Sequence, residues 1–409
     1  MKILIVNSHY SKGGASRAAL RLKLALEQVH VDCEYVSIYE QSPTFFQNLN
    51  FRFRAAIDRI PGLISARENI MFSSGIPYNP SLIAYINSCD ADIVHFHWIN
   101  SGGLSVSDLS KINKPIVFSL HDMWLFTGGC HYDKNCGRYS VGCGECPILR
   151  SDKNNDLSHK NLRKKKKVFN QSQSLSVIGL SKWIASEAKK STSLKNHRVE
   201  HLPNPINVNF YKPIDRDKAR CVFNLPYQKK LVLFGAMSAL DDPRKGYEKL
   251  IAALNMYEHT EDIELVVFGN DKPIETLDNT YNTHYLGYID NDEDLKTLYC
   301  AADVMLVPSL QENLSNAIME SMSCGTPVVA FNIGGNSDMI DHKINGFLAT
   351  PLDPKSLSEG IKWVLDSSNS SKVRQNARSK IQEKFSLDKV GNEYKIFYNT
   401  VYQSMRKIS

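Results

Sequence analysis

The sequence predicts an α/β protein built from two doubly wound parallel-sheet domains. Two short apolar series carry this reading. Lys2–Asn7, Cys33–Ile38, Ile93–His97, Pro115–Leu120, Val177–Leu180 and Val199–Leu202 form the first series, and Leu231–Gly235, Leu265–Gly269, Val304–Val307 and Val328–Ala330 form the second. Each run is too short for a helix and is followed by turn or helix-cap residues, the pattern of buried parallel strands alternating with helices. The chain has 409 residues, more than one ordinary core accommodates. Between the two series lies Leu202-Pro203-Asn204-Pro205, and two prolines mark a stiff boundary. The expected domains are therefore residues 1–203 and 204–385. A terminal helix is expected over 386–409, within which Leu387–Ile408 has a helical pattern.

Composition narrows the class. Hydrophobic residues make up 42%, as in soluble globular proteins. No run of about 18 apolar residues is present, so no transmembrane helix is expected. The opening MKILIVNSHY is too short and too weakly charged for a signal peptide and reads as a first strand, so a cytoplasmic location is expected. A net charge of +6 favours anionic ligands or an anionic membrane face and is too small to argue for nucleic acid. Nine cysteines in that compartment are expected to be reduced or metal-bound.

In chain order, the first strand runs into Gly13-Gly14 and a helix over Ser16–Val29, an arrangement that aims a helix N-terminus at a ligand. A tight turn that needs glycine is the plainer alternative. The spacing is not Gly-x-Gly-x-x-Gly, so no nicotinamide cofactor is expected. Residues 41–80 break the rhythm. Phe45, Phe46, Phe51, Phe53 and Ile57 mix with Arg52, Arg54 and Arg59, a basic amphipathic piece that either covers its own domain or lies on a membrane surface.

In Asp-Ile-Val-His-Phe-His, alternation puts His95 and His97 on one strand face and Phe96 on the other. His121-Asp122 stands at the end of the next strand, where open α/β sheets place ligand groups. The loop over 126–150 then carries Cys130, Cys136, Cys143 and Cys146. Its Cys-x-x-Cys pair suits a structural zinc, with His131 able to replace one thiolate. A closed site of this kind has no open position for chemistry. The run Arg163–Lys167 reads as a solvated helix face, with anionic lipid as a second partner. Ser181 is placed to cap the helix that carries Trp183.

In the second half, Asp241-Asp242-Pro243-Arg244-Lys245-Gly246 offers a guanidinium fork and an ammonium to a phosphate, with a helix over Gly246–Met256 after it. The two aspartates read as turn chemistry beside these cations. The densest set of chemistry-bearing residues lies in Pro308–Gly335. Here Glu312 precedes a helix capped by Asn313 or Ser315, Glu320 lies within it, and Cys324-Gly325-Thr326-Pro327 closes it. Carboxylates accept sugar hydroxyls, and the helix N-terminus between them suits a phosphate. Together they suit a nucleotide sugar.

The Glu-x7-Glu spacing followed by Ser-Cys-Gly-Thr-Pro-Val-Val-Ala resembles the signature of family-4 retaining glycosyltransferases of the GT-B fold. The likeness spans nearly the whole chain and is weakest over 41–80. It implies two Rossmann-like domains facing a cleft, with the last helix crossing back onto the first domain. It also implies roles by position: Glu312 touches the donor sugar, Glu320 the ribose hydroxyls, His121 the sugar, and Arg244 and Lys245 the diphosphate. Gly13 and Gly14 stand beside the donor phosphate and acceptor. The segment at Tyr288 and Ile289 reads the base, and Gly269, Asn313, Leu314 and Ser315 complete the donor site. Two departures stand out: Asn313 where the family often has glycine, and Ala236 where it has its usual arginine.

The resemblance implies retaining hexosyl transfer from a UDP- or GDP-linked donor to a glycan or polyprenyl-linked acceptor in surface polysaccharide synthesis. It requires no catalytic metal, names no agreed protein nucleophile, and allows peripheral contact with the inner membrane. A nucleotide-sugar epimerase on the same fold and a non-catalytic module binding a nucleotide sugar or anionic lipid are the alternatives. Acceptor dependence of nucleotide release separates the enzymes, and intact Glu312, Glu320, Arg244 and Lys245 argue against a lost activity.

Overall fold

The computed structural model describes residues 1–11, 13–39, 45–65, 71–171, 174–235, 242–258, 260–269, 281–366 and 370–406. Two compact units are present, one of residues 1–205 with 387–409 and one of residues 206–386.

The first unit holds six strands: β1 (Lys2–His9), β2 (Asp32–Tyr39), β3 (Ile93–Phe96), β4 (Ile116–Leu120), β5 (Leu175–Gly179) and β6 (Arg198–His201). All neighbours pair in parallel, in the order β2-β1-β3-β4-β5-β6. Strands β3, β4 and β5 are buried along their whole length, which is why they read as mainly apolar runs broken only by His95, Ser119 and Ser176. The helices are α1 (Gly14–Gln28), α2 (Phe45–Ser65), α3 (Pro80–Ser88), α4 (Leu157–Gln171) and α5 (Lys182–Lys190). Ser181 caps α5 by accepting from the Ile184 N–H. The C-terminal helix Leu387–Arg406 also belongs to this unit. Its Val390, Tyr394, Phe397 and Tyr398 share a core with Leu22 and Leu26 of α1.

Of the two readings of residues 41–80, the described part supports cover of its own domain, and one other detail of this unit differs from the sequence expectation. Residues 45–65 are helical where the strand–helix rhythm was broken. Ala55 and Asp58 are buried, and Arg54 donates from Nε to the Gly102 carbonyl and from Nη1 to the Tyr78 carbonyl, so α2 covers its own domain. Phe53, Ile60, Arg52 and Arg59 point to solvent. The basic run at 163–167 is not a uniformly solvated face. Lys165 is buried in line with Leu162 and Phe169, while Arg163, Lys164, Lys166 and Lys167 are exposed. Its ammonium donates to the carbonyls of Trp124 and Thr127 and lies over the Trp124 ring. Burial pushes this lysine down to about 7.

The second unit begins with α6 (Arg216–Val222) and has six strands: β7 (Lys230–Gly235), β8 (Ile263–Phe268), β9 (Thr283–Tyr285), β10 (Val304–Val307), β11 (Val328–Phe331) and β12 (Gly346–Ala349). They are again parallel, in the order β12-β11-β10-β7-β8-β9. Relative to the first strand, this is the dinucleotide-type order 3-2-1-4-5-6, which reverses direction between β7 and β10. The helices are α7 (Tyr247–Leu254), α8 (Asp292–Ala301), α9 (Asn316–Ser323), α10 (Asn336–Met339), α11 (Pro354–Leu365) and α12 (Ser370–Phe385). The terminal helix of the first unit is thus α13. Among the described residues, no helix is long and apolar enough to cross a membrane.

Candidate active site

The strand order of the second unit says where to look. Ligands of open α/β sheets bind beyond the carboxyl ends of the strands where the order reverses, here β7 and β10. The connection after β7 carries Arg244 and Lys245, and the one after β10 carries Glu312. Sixty-seven positions apart in sequence, the Lys245 ammonium and Glu312 Oε2 meet at 2.9 Å. Both side chains are largely but not wholly buried.

Backbone contact holds the two loops together. Leu310 donates its N–H to the Arg244 carbonyl at 2.6 Å. Gly246, at φ +71°, lets the lysine loop press onto Pro308, because a Cβ there would sit 1.9 Å from the Pro308 carbonyl oxygen. Gly334, at φ +51°, does the same for the glutamate loop, where a Cβ would lie 1.7 Å from the Glu312 carbonyl oxygen. Gly335 then donates its N–H to the Asn313 carbonyl at 2.8 Å. The 334–335 turn thus packs directly against the Glu312 loop.

Asp242 caps the short 3-10 turn Pro243–Lys245, as turn chemistry requires, by accepting from the Arg244 N–H at 3.0 Å. It also takes the guanidinium of Arg244 in a two-point bond, 3.0 Å from Nε and 2.6 Å from Nη2. The Arg244 fork is therefore engaged by Asp242, and Lys245 is the cation of this loop that reaches Glu312. Asp241 and Ala236 lie outside the described residues.

Ser315, rather than Asn313, caps α9, its hydroxyl oxygen accepting from the Ile318 N–H at 3.5 Å. Asn313 is buried and Leu314 is a core residue beside Ile318 and Met319. Glu320 is only 2% exposed, and Tyr299 donates its hydroxyl to Glu320 Oε2 at 3.0 Å. Burial, with the Glu320 charge second, holds the Tyr299 phenol well above its ordinary range. At the other edge, Gly269 ends β8 at φ +84° and donates to the Gly287 carbonyl at 2.7 Å. Beyond this turn Tyr288 is exposed and Ile289 packs on the core.

In the first unit, Gly13 is the N-cap of α1 at φ +89° and has no side chain to bond the helix's first N–H groups. Space for a Cβ at Gly13 is open, so its glycine answers to backbone angle rather than crowding. Gly14 opens the helix. His121 follows β4 directly, and its Nε2 lies 2.8 Å from Nδ1 of His97. His95 is engaged at both nitrogens, with Nδ1 2.6 Å from the Tyr398 hydroxyl and Nε2 2.8 Å from the Ser119 hydroxyl. The rings of His95 and His97 are 4.6 Å apart on one strand face.

The cysteine loop brings Cys130, Cys136, Cys143 and Cys146 around one small cavity, all as free thiols. Among the described residues, no three His, Cys, Asp or Glu side chains already stand as a metal-holding group. His131 is not a spare ligand. Its Nδ1 is 2.6 Å from Asp122 Oδ2 and its Nε2 is 3.0 Å from the Ser73 hydroxyl, so both ring nitrogens are engaged. The Trp98 indole N–H donates to the same Asp122 oxygen.

This fold and site define a sugar-transferring enzyme of the GT-B class. A model described as Glycosyltransferase Family 4 matches residues 12–210, and one described as Glycosyl transferases group 1 matches residues 215–383. The chain belongs to the group 1 glycosyltransferases. It is 25% identical to an uncharacterized glycosyltransferase of Methanocaldococcus jannaschii over 344 residues, 76% of this chain and 84% of that one. Sucrose-phosphate synthase from Thermosynechococcus elongatus has the same fold, with a TM-score of 0.69 and 20% identity over 99% of this chain and 100% of that one. Anabaena HepE, solved with UDP and glucose, shares it with a TM-score of 0.63 and 18% identity over 98% and 99% of the two chains.

Proposed function

We propose that the protein transfers a hexose-type sugar from a UDP- or GDP-linked donor to a glycan or lipid-linked glycan acceptor, with retention at the anomeric carbon. The contact between Lys245 and Glu312 at the reversal of the second sheet carries the reading. Breaking the glycosidic bond builds negative charge on the departing diphosphate. Lys245 and the N-terminus of α9 supply preorganised positive charge there, so no divalent cation is needed. Glu312, freed from Lys245 by the phosphate, accepts hydroxyls of the sugar. The departing phosphate helps to deprotonate the acceptor. UDP in the HepE structure supports a uridine donor. The solvent-facing Phe53, Ile60, Arg52 and Arg59 of α2 suit contact with an anionic membrane, the place of a lipid-linked acceptor. Screening nucleotide sugars for thermal stabilisation identifies the donor, since a saturating ligand adds a few kcal/mol of apparent stability. The anomeric configuration of the product, read by NMR, tests retention, and an inverted product refutes it.

Glu320 is assigned to the ribose hydroxyls. Glu320→Gln keeps the volume and an acceptor for Tyr299 while removing the charge. Nucleotide affinity is expected to fall by about 1.5–3 kcal/mol, the range for hydrogen bonds to a charged group. Unchanged affinity in calorimetry would remove Glu320 from the nucleotide site.

For the cysteine loop we propose a structural zinc on Cys130, Cys136, Cys143 and Cys146, reached by rotation of the thiols into the cavity they line. The four sulfurs line one small cavity, and burial pushes the thiols of Cys136 and Cys143 up, so a bound cation is what would hold them as thiolates. Elemental analysis is expected to find about one zinc per chain. A metal-free protein that is folded and active would refute the zinc.

A further inference from the structure

His97 and His121 share a hydrogen bond whose direction can be deduced. One proton lies between His97 Nδ1 and His121 Nε2, 2.8 Å apart, since two lone pairs or two N–H groups would repel there. His97 is buried, and its Nε2 has no hydrogen-bond partner. If His121 were the donor, the proton of His97 would sit on that buried Nε2 as an orphan N–H. If His97 is the donor, Nε2 carries only a lone pair. Orphan buried N–H groups are the rarer of the two in folded chains. Burial holds both rings neutral, with His97 well below its ordinary range and His121 at about 4.

We propose that His97 is a positioning residue that donates its Nδ1–H to Nε2 of His121 and locks His121 as the Nδ1–H tautomer. The proposal rests on the sugar-facing role assigned to His121. Its chemical consequence is specific. With Nε2 engaged, any ring N–H that His121 offers to the sugar comes from Nδ1, so His121 acts there as a hydrogen-bond donor and not as a proton acceptor. The ring of His97 is held for this task. It lies against His95, which is fixed at both nitrogens by Tyr398 of α13 and Ser119 of β4. A chain of contacts thus runs from the terminal helix to the end of β4, entirely within the first unit.

The test reads tautomers directly. Long-range proton–nitrogen NMR of the full chain labelled with 15N-histidine distinguishes Nδ1–H from Nε2–H, and His121→Gln assigns the His121 signals. Wild-type His121 is expected as Nδ1–H. His97→Asn keeps an N–H near the position of Nδ1 and is expected to keep that tautomer and turnover. His97→Ala is expected to release His121 towards the Nε2–H form that free imidazole favours. Turnover should fall roughly ten- to hundredfold, the scale for outer partners that orient a ligating ring, with KM for the donor little changed. Nε2–H at His121 in the wild type, or an unchanged spectrum in His97→Ala, overturns the proposal. The expected tautomers with full turnover in His97→Ala overturn its role in transfer. If His121→Gln also turns over normally, it is the sugar-facing role of His121 that has failed.

Discussion

Lys245→Ala is expected to lower turnover by about two to three orders of magnitude, the scale for removing one preorganised electrostatic contact from a transition state. The ammonium sits 2.9 Å from Glu312, on a loop whose Arg244 carbonyl accepts from the Leu310 N–H, so its charge is held in place by the fold. Charge on the diphosphate grows as the glycosidic bond lengthens, and a group aimed at that charge acts more on the transition state than on the bound donor. Donor affinity should therefore fall less than turnover. Lys245→Arg keeps the charge but trades a point charge for a planar fork, and only partial recovery is expected. Glu312→Gln should behave differently, impairing transfer while nucleoside diphosphate binds normally. Steady-state kinetics and nucleotide titration on these variants, with magnesium and with a chelator, decide the matter. Near-normal turnover in Lys245→Ala, or a requirement for magnesium, would show that the leaving group is stabilised in another way.

How much of this arrangement sequence could show depends on the range of each interaction. Strands β10 and β11 were legible because burial on both faces leaves an unbroken apolar run, and β3 and β4 because only His95 and Ser119 interrupt theirs. β9 was not, since its three half-buried residues Thr283–Tyr285 carry no apolar pattern. Five successive basic residues concealed the helical period that buries Lys165, because charge reads as exposure unless a neighbouring element supplies acceptors. The hold of Asp242 on Arg244 is a contact two residues long, and the aspartate's place in a turn was legible although its hold on the guanidinium was not. Lys245 and Glu312 were each legible by motif, but their contact was not, because only the parallel pairing of β7 with β10 brings the two loops together. The pairing of His97 with His121 has the same origin, through β3 and β4.

Gly334→Ala is expected to impair transfer about a hundredfold without replacing any residue assigned to the substrate. The residue adopts φ +51°, where a side chain is strained by about 1–2 kcal/mol. Strain alone would be a modest loss of stability. The larger effect comes from the Glu312 carbonyl oxygen, 1.7 Å from the place where a Cβ would stand. That atom is backbone, so no rotamer change relieves the clash, and the Glu312 loop or the 334–335 turn must move. A displacement of about 1 Å in a positioning group is enough to cost about a hundredfold in rate. Gly137→Ala provides the control. Gly137 is also left-handed, at φ +64°, but nothing lies within 4 Å of its Cβ position, so that variant carries strain without crowding. Thermal melts of both variants measure the shared strain, and the difference in turnover measures the close approach. Gly334→Ala should retain stabilisation by nucleoside diphosphate, because Ser315 and the N-terminus of α9 do not depend on a Cβ at 334. Equal turnover in Gly334→Ala and Gly137→Ala would mean that the Glu312 loop tolerates displacement, and that the carboxylate's position is not what limits the reaction.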